Sequence, residues 1–266
     1  MSVEAERPDP NPFLVDFHVH ATAYRQKDPA MTVEGILHRA RELRLSAVGI
    51  VEHLAPSRGR PVTLLEHIRS EWERLGPLEG LHVFRGAEID VTPEGTFEGP
   101  PDVRERLGLD YVIAAVHAAS PGTPEGELLE DHLRRMLSVL DGPVSFEVMA
   151  HPWRSVLKQA ARGRGQNPSF AVVPVAMQQE LIKACAAGGV AIEVNAGSPL
   201  DDPAHDAFLR RALAADLKLA TGSDAHYLRS LGGHTACIAA LERVGAGRDD
   251  VWLPAAAGDT ERKSTG

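Results

Sequence analysis

Histidine and carboxylate side chains recur along the sequence, each time at the end of a short apolar run. The strand ends found in this way carry His18, His20, Glu52, His53, Glu88, His117, His151, Glu193, Asn195, Asp224 and His226. Imidazole nitrogens and carboxylate oxygens, without thiolates, form a donor set that suits zinc, manganese or iron. The residue types therefore predict metal chemistry, provided that the fold brings these side chains together.

The apolar runs have the character of strands buried on both faces, because they are nearly continuous stretches of aliphatic residues. They cover residues 13–17, 47–51, 81–88, 111–116, 144–150, 190–194 and 217–220. Amphipathic stretches between them are predicted to be helices, at residues 32–44, 63–75, 125–140, 174–187, 203–215 and 233–243. This alternation predicts a parallel α/β fold, and seven units favour a closed or nearly closed barrel over an open sheet.

The candidate ligands all lie at the carboxyl ends of the predicted strands. In a parallel barrel the loops at that end surround one cavity, and functional groups gather there. His18 and His20 are two residues apart on one strand, so their side chains point to the same face. Imidazoles and carboxylates that converge away from water need a cation to offset their charge. We therefore expect a metal centre at the carboxyl-end mouth of the barrel.

Taken in order, these motifs resemble the polymerase and histidinol phosphatase (PHP) superfamily of metal-dependent phosphoesterases, in its stand-alone form. The matching segments are Asp16-Phe-His18-Val-His20, Ile50-Val-Glu52-His53, Gly86-Ala-Glu88, Val116-His117, His151-Pro152 and Gly222-Ser-Asp224-Ala-His226. Each motif alone is weakly specific, whereas the ordered set, which spans residues 16–226, is specific. The resemblance implies a distorted (β/α)7 barrel similar to a TIM barrel, in agreement with the seven strands counted above.

The resemblance also implies how the ligands are shared among two or three divalent ions. One metal would be held by His18, His20, Glu88 and Asp224. Glu88 would bridge to a second metal, which His117 and His151 complete, and a third would be held by His53 and His226. The sequence departs from the family after His20, where the segment that supplies a further ligand of the third metal is longer. Asp28 is the candidate for that ligand.

The reaction expected from this centre is hydrolysis of a small-molecule phosphate ester by a hydroxide that bridges two metals. Glu88 and Asp224 would organise the cluster. If the third metal site is empty, His226 or His53 could instead act as the general acid. Arg154 and Asn195 are the candidate substrate-binding residues, because a guanidinium suits phosphate and Asn195 ends the sixth strand. Glu193 is expected to support a ligand from behind. Arg162, Arg164 and Arg229 are further phosphate-binding candidates.

Several functions remain compatible with these motifs. Histidinol phosphate and nucleotides fit equally well as substrates of a phosphatase. A nuclease or proofreading-type phosphodiesterase is an alternative, although the chain has no basic, aromatic-rich stretch for single strands. A hydrolase acting on a C–N or lactone bond is another, although no lysine stands at the end of the fourth strand. A non-catalytic metal-binding protein is the least compatible with so complete a ligand set.

The composition narrows the class of protein. The 266 residues are 43% hydrophobic and carry a formal net charge of −9, which excludes a disordered chain and argues against nucleic acid as the partner. No apolar run reaches the length of a membrane span, and the first residues lack the apolar segment of a secretory signal. The expected setting is therefore the cytoplasm, with a small phosphate ester as partner, no membrane contact and a homo-oligomer allowed.

One barrel domain is expected over residues 13–253, between flexible tails at 1–12 and 254–266. A mobile loop is predicted at 158–169. Among the remaining histidines, His38, His67 and His132 are expected on helix surfaces. The others, His82, His205 and His234, are assigned to the surface or to the surroundings of the site, and His234 is close enough to the mouth to contact substrate.

Overall fold

The computed structural model describes residues 10–25, 27–75, 80–142 and 144–254. In these ranges the strands are β1 (Val15–His20), β2 (Ala47–Val51), β3 (His53–Leu54), β4 (His82–Asp90), β5 (Tyr111–Ala115), β6 (Val148–Met149), β7 (Ala191–Asn195) and β8 (Leu219–Gly222). The α-helices are α1 (Val33–Glu42), α2 (Val62–Leu75), α3 (Val103–Leu107), α4 (Leu128–Leu140), α5 (Arg154–Arg164), α6 (Val175–Gly188), α7 (Pro203–Leu213) and α8 (His234–Val244). The predicted tails lie outside the described residues, apart from 10–12 and 254.

The strands form a parallel sheet that curves into a nearly closed barrel. Their order is β1-β2-β4-β5-β6-β7-β8, and β3 continues the line of β2 to pair with the later part of β4. β8 returns beside β1, where the His20 amide donates to the Ala225 carbonyl over 3.0 Å. The Thr221 hydroxyl donates to the Val15 carbonyl over 3.4 Å across the same junction. The predicted single-domain α/β barrel with seven strand positions is therefore confirmed.

The amino-end floor of the barrel is apolar and closed by aromatic rings. Tyr111 is fully buried and donates from its hydroxyl to the Phe17 carbonyl over 2.6 Å. A Cβ atom at Gly49 would lie 2.1 Å from the Tyr111 hydroxyl, and one at Gly86 would lie 2.6 Å from its Cζ. Trp252 covers Phe17 and Tyr111 with ring centroids 5.5 Å from each. Polar groups are thereby confined to the opposite, carboxyl end.

The six predicted helices are all present, and sequence signals mark where they begin. Thr32 caps α1, since its hydroxyl accepts the Gly35 amide over 3.0 Å. Asp202 caps α7 by accepting the Ala204 amide over 3.0 Å, and Pro203 occupies the first helical position. These caps fix where α1 and α7 begin, which is where the chain leaves the mouth and returns along the outside of the barrel.

The prediction of a mobile loop at 158–169 is wrong over its first half. Residues 154–164 form helix α5, which packs Val156, Leu157 and Ala161 into the core. The glycine residues after this apolar face suggested a loop, but Gly165 instead ends the helix in a left-handed conformation with φ of 62°. The helix consequently carries Arg154 and the residues after it as one ordered face beside the mouth.

The surface prediction for His132 is also wrong. His38 and His67 are exposed as expected, whereas His132 is completely buried on the inner side of α4. It falls on the apolar stripe of that helix, between Leu128 and Met136, and spacing of this kind faces the core whatever the residue. His205 and His234 are buried as well. Burial of its ring lowers the pKa of His132 to about 4, so the ring is neutral in the fold.

Within the described ranges, every helix is too short or too polar to cross a lipid bilayer. Cys185 and Cys237 are buried, unpaired thiols on α6 and α8. Neither contributes to the mouth of the barrel, and burial raises the pKa of the Cys185 thiol to about 12. The polar chemistry at the mouth therefore rests on nitrogen and oxygen donors.

Candidate metal centre

The eight candidate ligands converge at the carboxyl-end mouth of the barrel. They form four overlapping groups of three whose donor atoms lie within 4.8 Å of one another. The groups are His18–His20–Asp224, His18–Glu88–His151, His53–Glu88–His117 and His20–His53–His226. Each of the eight residues belongs to at least one group, so the fold brings together the eight strand-end ligands that the family resemblance implies.

Glu88 lies at the centre of these groups, and its two carboxylate oxygens face different histidines. Oε1 is 3.1 Å from Nε2 of His117 and 3.0 Å from Nε2 of His151. Oε2 is 2.8 Å from Nδ1 of His53 and 3.4 Å from Nε2 of both His18 and His20. The side chain is completely buried. A carboxylate in this position can bind two cations at once, one through each oxygen.

His18 and His20 aim the same ring nitrogen at one point. Their Nε2 atoms are 3.1 Å apart, and Nε2 of His20 is 3.1 Å from Oδ1 of Asp224. The alternation of side chains along β1 places both rings on its inner face. Two imidazole nitrogens and a carboxylate oxygen therefore converge on one point. Such a group suits a shared cation.

Buried polar atoms without a hydrogen-bond partner among the described residues support this reading. Ten such atoms occur, and four of them belong to candidate ligands. These four are Nδ1 of His20, Nδ1 of His151, and Nδ1 of His53 and Oε2 of Glu88, which lie 2.8 Å apart without the angles of a hydrogen bond. Such atoms are rare in folded proteins, because each one forfeits its hydration without compensation. Four of them at one site fit the coordination of divalent cations, and the nitrogen and oxygen donors match zinc, manganese or iron.

The histidines of the cluster differ in their pKa values, which are lowered at some rings and raised at others. Burial lowers the pKa of His53 to about 3 and that of His226 to about 4, so both rings are neutral and able to donate a lone pair. His117 is half-buried, and although its loss of hydration opposes the charge, Glu88 and Asp90 raise its pKa to about 9. Burial opposes ionisation of Glu88, yet the surrounding imidazoles hold its pKa well below the usual range. The carboxylate is thus charged at neutral pH.

Glu193 on β7 orients two candidate ligands from behind. Its Oε1 is 2.7 Å from Nδ1 of His18, and its Oε2 accepts the His151 amide over 2.9 Å. Nδ2 of Asn195 also donates to Oε1 over 2.9 Å. Gly222 leaves room for this contact, since a Cβ there would lie 2.3 Å from Glu193 Oε1 and 2.4 Å from His18 Cβ. The expected supporting role of Glu193 agrees with these contacts.

Asp90 is a residue of the candidate site that the sequence reasoning missed. Its Oδ1 is 2.8 Å from Nδ1 of His117, and its Oδ2 accepts from Nη1 of Arg58 over 2.9 Å. A carboxylate behind a metal-binding imidazole fixes the tautomer and the orientation of the ring. The signal was present in the sequence, because Asp90 follows Glu88 by two residues on β4 and so shares its face.

The backbone is strained at three residues of the mouth. His151, Trp153 and Asp224 have φ angles of 29°, 57° and 53°, in the left-handed region that non-glycine residues seldom adopt. Each such residue costs of order 1–3 kcal/mol, and strain of this kind clusters at functional sites. Here it turns the chain sharply after β6 and β8, which brings His151 and Asp224 over the barrel opening.

Arg154 and Asn195, the candidate substrate-binding residues, contact each other at the edge of the cluster. Nη1 of Arg154 donates to Oδ1 of Asn195 over 2.9 Å and also to Oδ2 of Asp224. The Gly197 amide donates to the same Asn195 oxygen over 2.8 Å. Arg154 is 12% exposed at its side chain, so its guanidinium borders both the cluster and the solvent. The expected position of both residues at the mouth is therefore observed.

Asp28 stands apart from the four ligand groups. Its Oδ1 accepts the Ala30 amide over 3.0 Å, and its Oδ2 accepts the Leu228 amide over 3.3 Å. The carboxylate therefore braces the loop that follows His226, and its role as a ligand stays a prediction. Asp16 has a comparable bracing contact, since its Oδ1 accepts the amides of His18 and Ser223 over 3.4 and 2.9 Å.

Among known proteins, this chain resembles solved structures in fold, but it matches no family model and no curated sequence. A histidinol phosphate phosphatase from Lactococcus lactis, solved with zinc, L-histidinol and phosphate, is 15% identical with a TM-score of 0.61, over 88% of this chain and 94% of that one. A dihydropteroate synthase from Xanthomonas albilineans is 12% identical with a TM-score of 0.37, over 91% of this chain and 85% of that one. The first likeness shows a shared barrel fold.

Proposed function

We propose that this chain is a metal-dependent phosphoesterase of the PHP superfamily that hydrolyses a phosphate ester of a small molecule. The observation that carries the proposal is that the two carboxylate oxygens of Glu88 face different sets of histidines. Oε1 faces His117 and His151. Oε2 faces His18, His20 and His53. A fully buried carboxylate surrounded in this way has the arrangement required to join two cations. The proposed metal ligands are His18, His20, His53, Glu88, His117, His151, Asp224 and His226.

Divalent ions bound at this centre would activate water for attack and offset charge on the phosphoryl oxygens. The residues of the chain hold the donor atoms in place before substrate arrives. Glu193 keeps Nε2 of His18 directed at the cluster by engaging its Nδ1, and Asp90 does the same for His117. Pre-arranged groups of this kind need no reorganisation when charge develops in the transition state.

The position of Arg154 favours a phosphate ester over an uncharged substrate. Its guanidinium lies at the edge of the cluster, bound through Nη1 to Asp224 and Asn195. The planar fork of a guanidinium matches two phosphoryl oxygens, and its charge persists at any physiological pH. We propose that Arg154 and Asn195 orient the phosphate, with the remaining guanidinium nitrogens as donors.

If no metal occupies the third site, that of His53 and His226, His226 is the proposed general acid. Its ring is 20% exposed, whereas His53 is 5% exposed, and Nδ1 of His226 is 2.9 Å from the Asp224 carbonyl. That contact leaves Nε2 as the nitrogen available to the leaving oxygen. Burial lowers the pKa of His226 to about 4, so substrate anion must raise it before the ring carries a proton at neutral pH.

Phosphate release tests the proposal. The protein is purified anaerobically, reconstituted separately with zinc, manganese and iron(II), and assayed on histidinol phosphate, sugar phosphates and nucleotides. Histidinol phosphate comes first because the structurally similar phosphatase from L. lactis was solved with L-histidinol, phosphate and zinc. Metal-dependent release from at least one phosphomonoester is expected. Release from none of them, together with hydrolysis of an amide or lactone, would contradict the assignment.

A further inference from the structure

Helix α5 begins at the metal centre and carries a row of cations away from it. Lys158 and Arg162 follow Arg154 at intervals of four residues, so the three side chains lie along one side of the helix. Arg154 is 12% exposed, Lys158 is half-buried and Arg162 is exposed. With a rise of about 1.5 Å per residue, Lys158 lies ~6 Å and Arg162 ~12 Å along the helix from Arg154.

Lys158 and Arg162 lack the carboxylate partners that helical arginines have elsewhere in the described part of the chain. On α1, α2 and α4, Arg39 pairs with Glu42, Arg69 with Glu73 and Arg134 with Asp131, all at 2.8–2.9 Å. Among the described residues, neither Lys158 nor Arg162 has an ion pair with a carboxylate. The protein has 37 acidic and 28 basic residues, so a general lack of acidic residues does not explain why Lys158 and Arg162 are without carboxylate partners.

The charges around Lys158 leave it uncompensated. Asp224 is the acidic group that acts on it, and the carboxylate of Asp224 is already bound to Arg154 and His20. Arg154 and Arg162 flank Lys158 on the same side of the helix. Burial first, and then these two guanidinium groups, lower the pKa of the Lys158 ammonium. Like charges spaced four residues apart destabilise a helix, whereas an anionic ligand would turn the repulsion into attraction.

We propose that Lys158 and Arg162 form a subsite for a second anionic group of the substrate, beside the phosphate that is hydrolysed. This inference rests on the proposed phosphoesterase function and specifies its substrate class. The substrate would be a phosphate ester with a second phosphate or similar anion ~6–12 Å from the first, the span from Arg154 to Lys158 and Arg162. The acidic net charge of the protein does not oppose such a ligand, because the local field is set by the nearest cations.

Binding of non-hydrolysable probes to the metal-loaded protein tests the subsite. Pentane-1,5-bisphosphonate and pentylphosphonate are compared by isothermal titration calorimetry, because they share one chain and differ in the second anion. The bisphosphonate is expected to bind about tenfold more tightly than the monophosphonate. Lys158→Gln should bring this ratio close to one, Lys158→Arg should restore it, and Arg162→Gln should reduce it in part.

Lys183→Gln is the matched control, since it removes the same charge from an exposed site on α6. A ratio that stays at the wild-type value in Lys158→Gln, or that falls equally in Lys183→Gln, would overturn the subsite. Failure of the phosphoesterase proposal gives a different result, in which pentylphosphonate shows no metal-dependent binding to the wild-type protein. In that case loss of bisphosphonate binding in Lys158→Gln would still support an anion site on α5.

Discussion

Oε1 of Glu193 lies 2.7 Å from Nδ1 of His18, and this contact decides which nitrogen of His18 reaches the cluster. With Nδ1 engaged from behind, Nε2 points to Glu88 and Asp224 at 3.4 and 3.7 Å. The same carboxylate accepts the His151 amide, so one side chain of β7 orients a residue within β1 and a residue that follows β6. The orientation of the candidate ligands therefore depends on residues, such as Glu193, that would not themselves bind a metal.

Glu193→Gln should weaken metal binding while the fold persists. Three donors converge on the two oxygens of Glu193, from His18, His151 and Asn195, and an amide would turn its own NH2 group toward one of them. Loss of such a supporting group costs about 10–100-fold in metal affinity. Competition with a chromophoric chelator measures the change. Glu180→Gln, at an exposed position on α6, is the control, and equal affinities in the two variants would contradict the role of Glu193.

Gly222→Ala should disturb the centre through packing alone. The added Cβ would lie 2.3 Å from Glu193 Oε1 and 2.4 Å from His18 Cβ, closer than unbonded atoms can approach. We expect a loss of about 1–3 kcal/mol in the free energy of unfolding, together with weaker metal binding. Chemical denaturation measures the first effect. Gly126→Ala is the control, because nothing lies within 4 Å of its Cβ, and a matching loss there would remove the steric explanation.

Metal-free protein should lose stability as the pH rises from 6.5 to 9. Glu88 and Asp90 raise the pKa of half-buried His117 to about 9, and carboxylates also raise the pKa values of His18 and His20. A raised pKa in the fold means stabilisation that is complete below the unfolded value of about 6.5 and disappears as the pH passes the folded value. The thermal midpoint should fall by about 5–10 °C over this range.

Differential scanning calorimetry at several pH values measures this slope. His117→Asn should flatten it, whereas His38→Asn, at a 77% exposed ring, should leave it unchanged. A midpoint that rises between pH 6.5 and 9 would show that the cluster of imidazoles is not held protonated by its carboxylates. Below pH 6.5 the opposite slope is expected, since His53 and His226 have lowered pKa values and resist protonation in the fold.

Arg154→Ala should raise the KM for a phosphomonoester by about tenfold or more, because a charge-assisted contact to the phosphate is lost. Arg154→Lys should recover part of this loss, since an ammonium restores the charge without the planar fork. Steady-state kinetics on the best substrate from the release assay measures the KM of both variants. An unchanged KM in Arg154→Ala would exclude the residue from the substrate site.

The strand-end pattern was enough to predict which residues meet at the mouth. Parallel strands of one barrel open their carboxyl ends to the same cavity, so His117 and His151 could be assigned to one site from their place after apolar runs. The predicted strand at 144–150 is longer than β6, because Val144 and Phe146 are apolar but lie before the paired residues Val148–Met149. Hydrophobic character alone does not show where pairing begins.

Contacts between distant elements could not be read from the chain. Gly222 and Glu193 are adjacent only because β7 and β8 pair, and neither residue shows this alone. Arg58 reaches Asp90 from a turn after β3 whose course depends on Ser57, bound to Glu98 at 2.6 Å. The loop predicted at 158–169 is a helix instead, because burial of Val156, Leu157 and Ala161 outweighs the glycines around it. Tertiary packing decides each of these cases.

The number of metal ions bound per chain tests the central claim most directly. Protein purified anaerobically, reconstituted and freed of excess metal is analysed by inductively coupled plasma mass spectrometry, beside Glu88→Gln prepared in parallel. The arrangement around Glu88 predicts two or three ions per wild-type chain and a clear deficit in Glu88→Gln, whose amide cannot join two cations. Fewer than about one ion per wild-type chain, or equal content in the two proteins, would contradict the account.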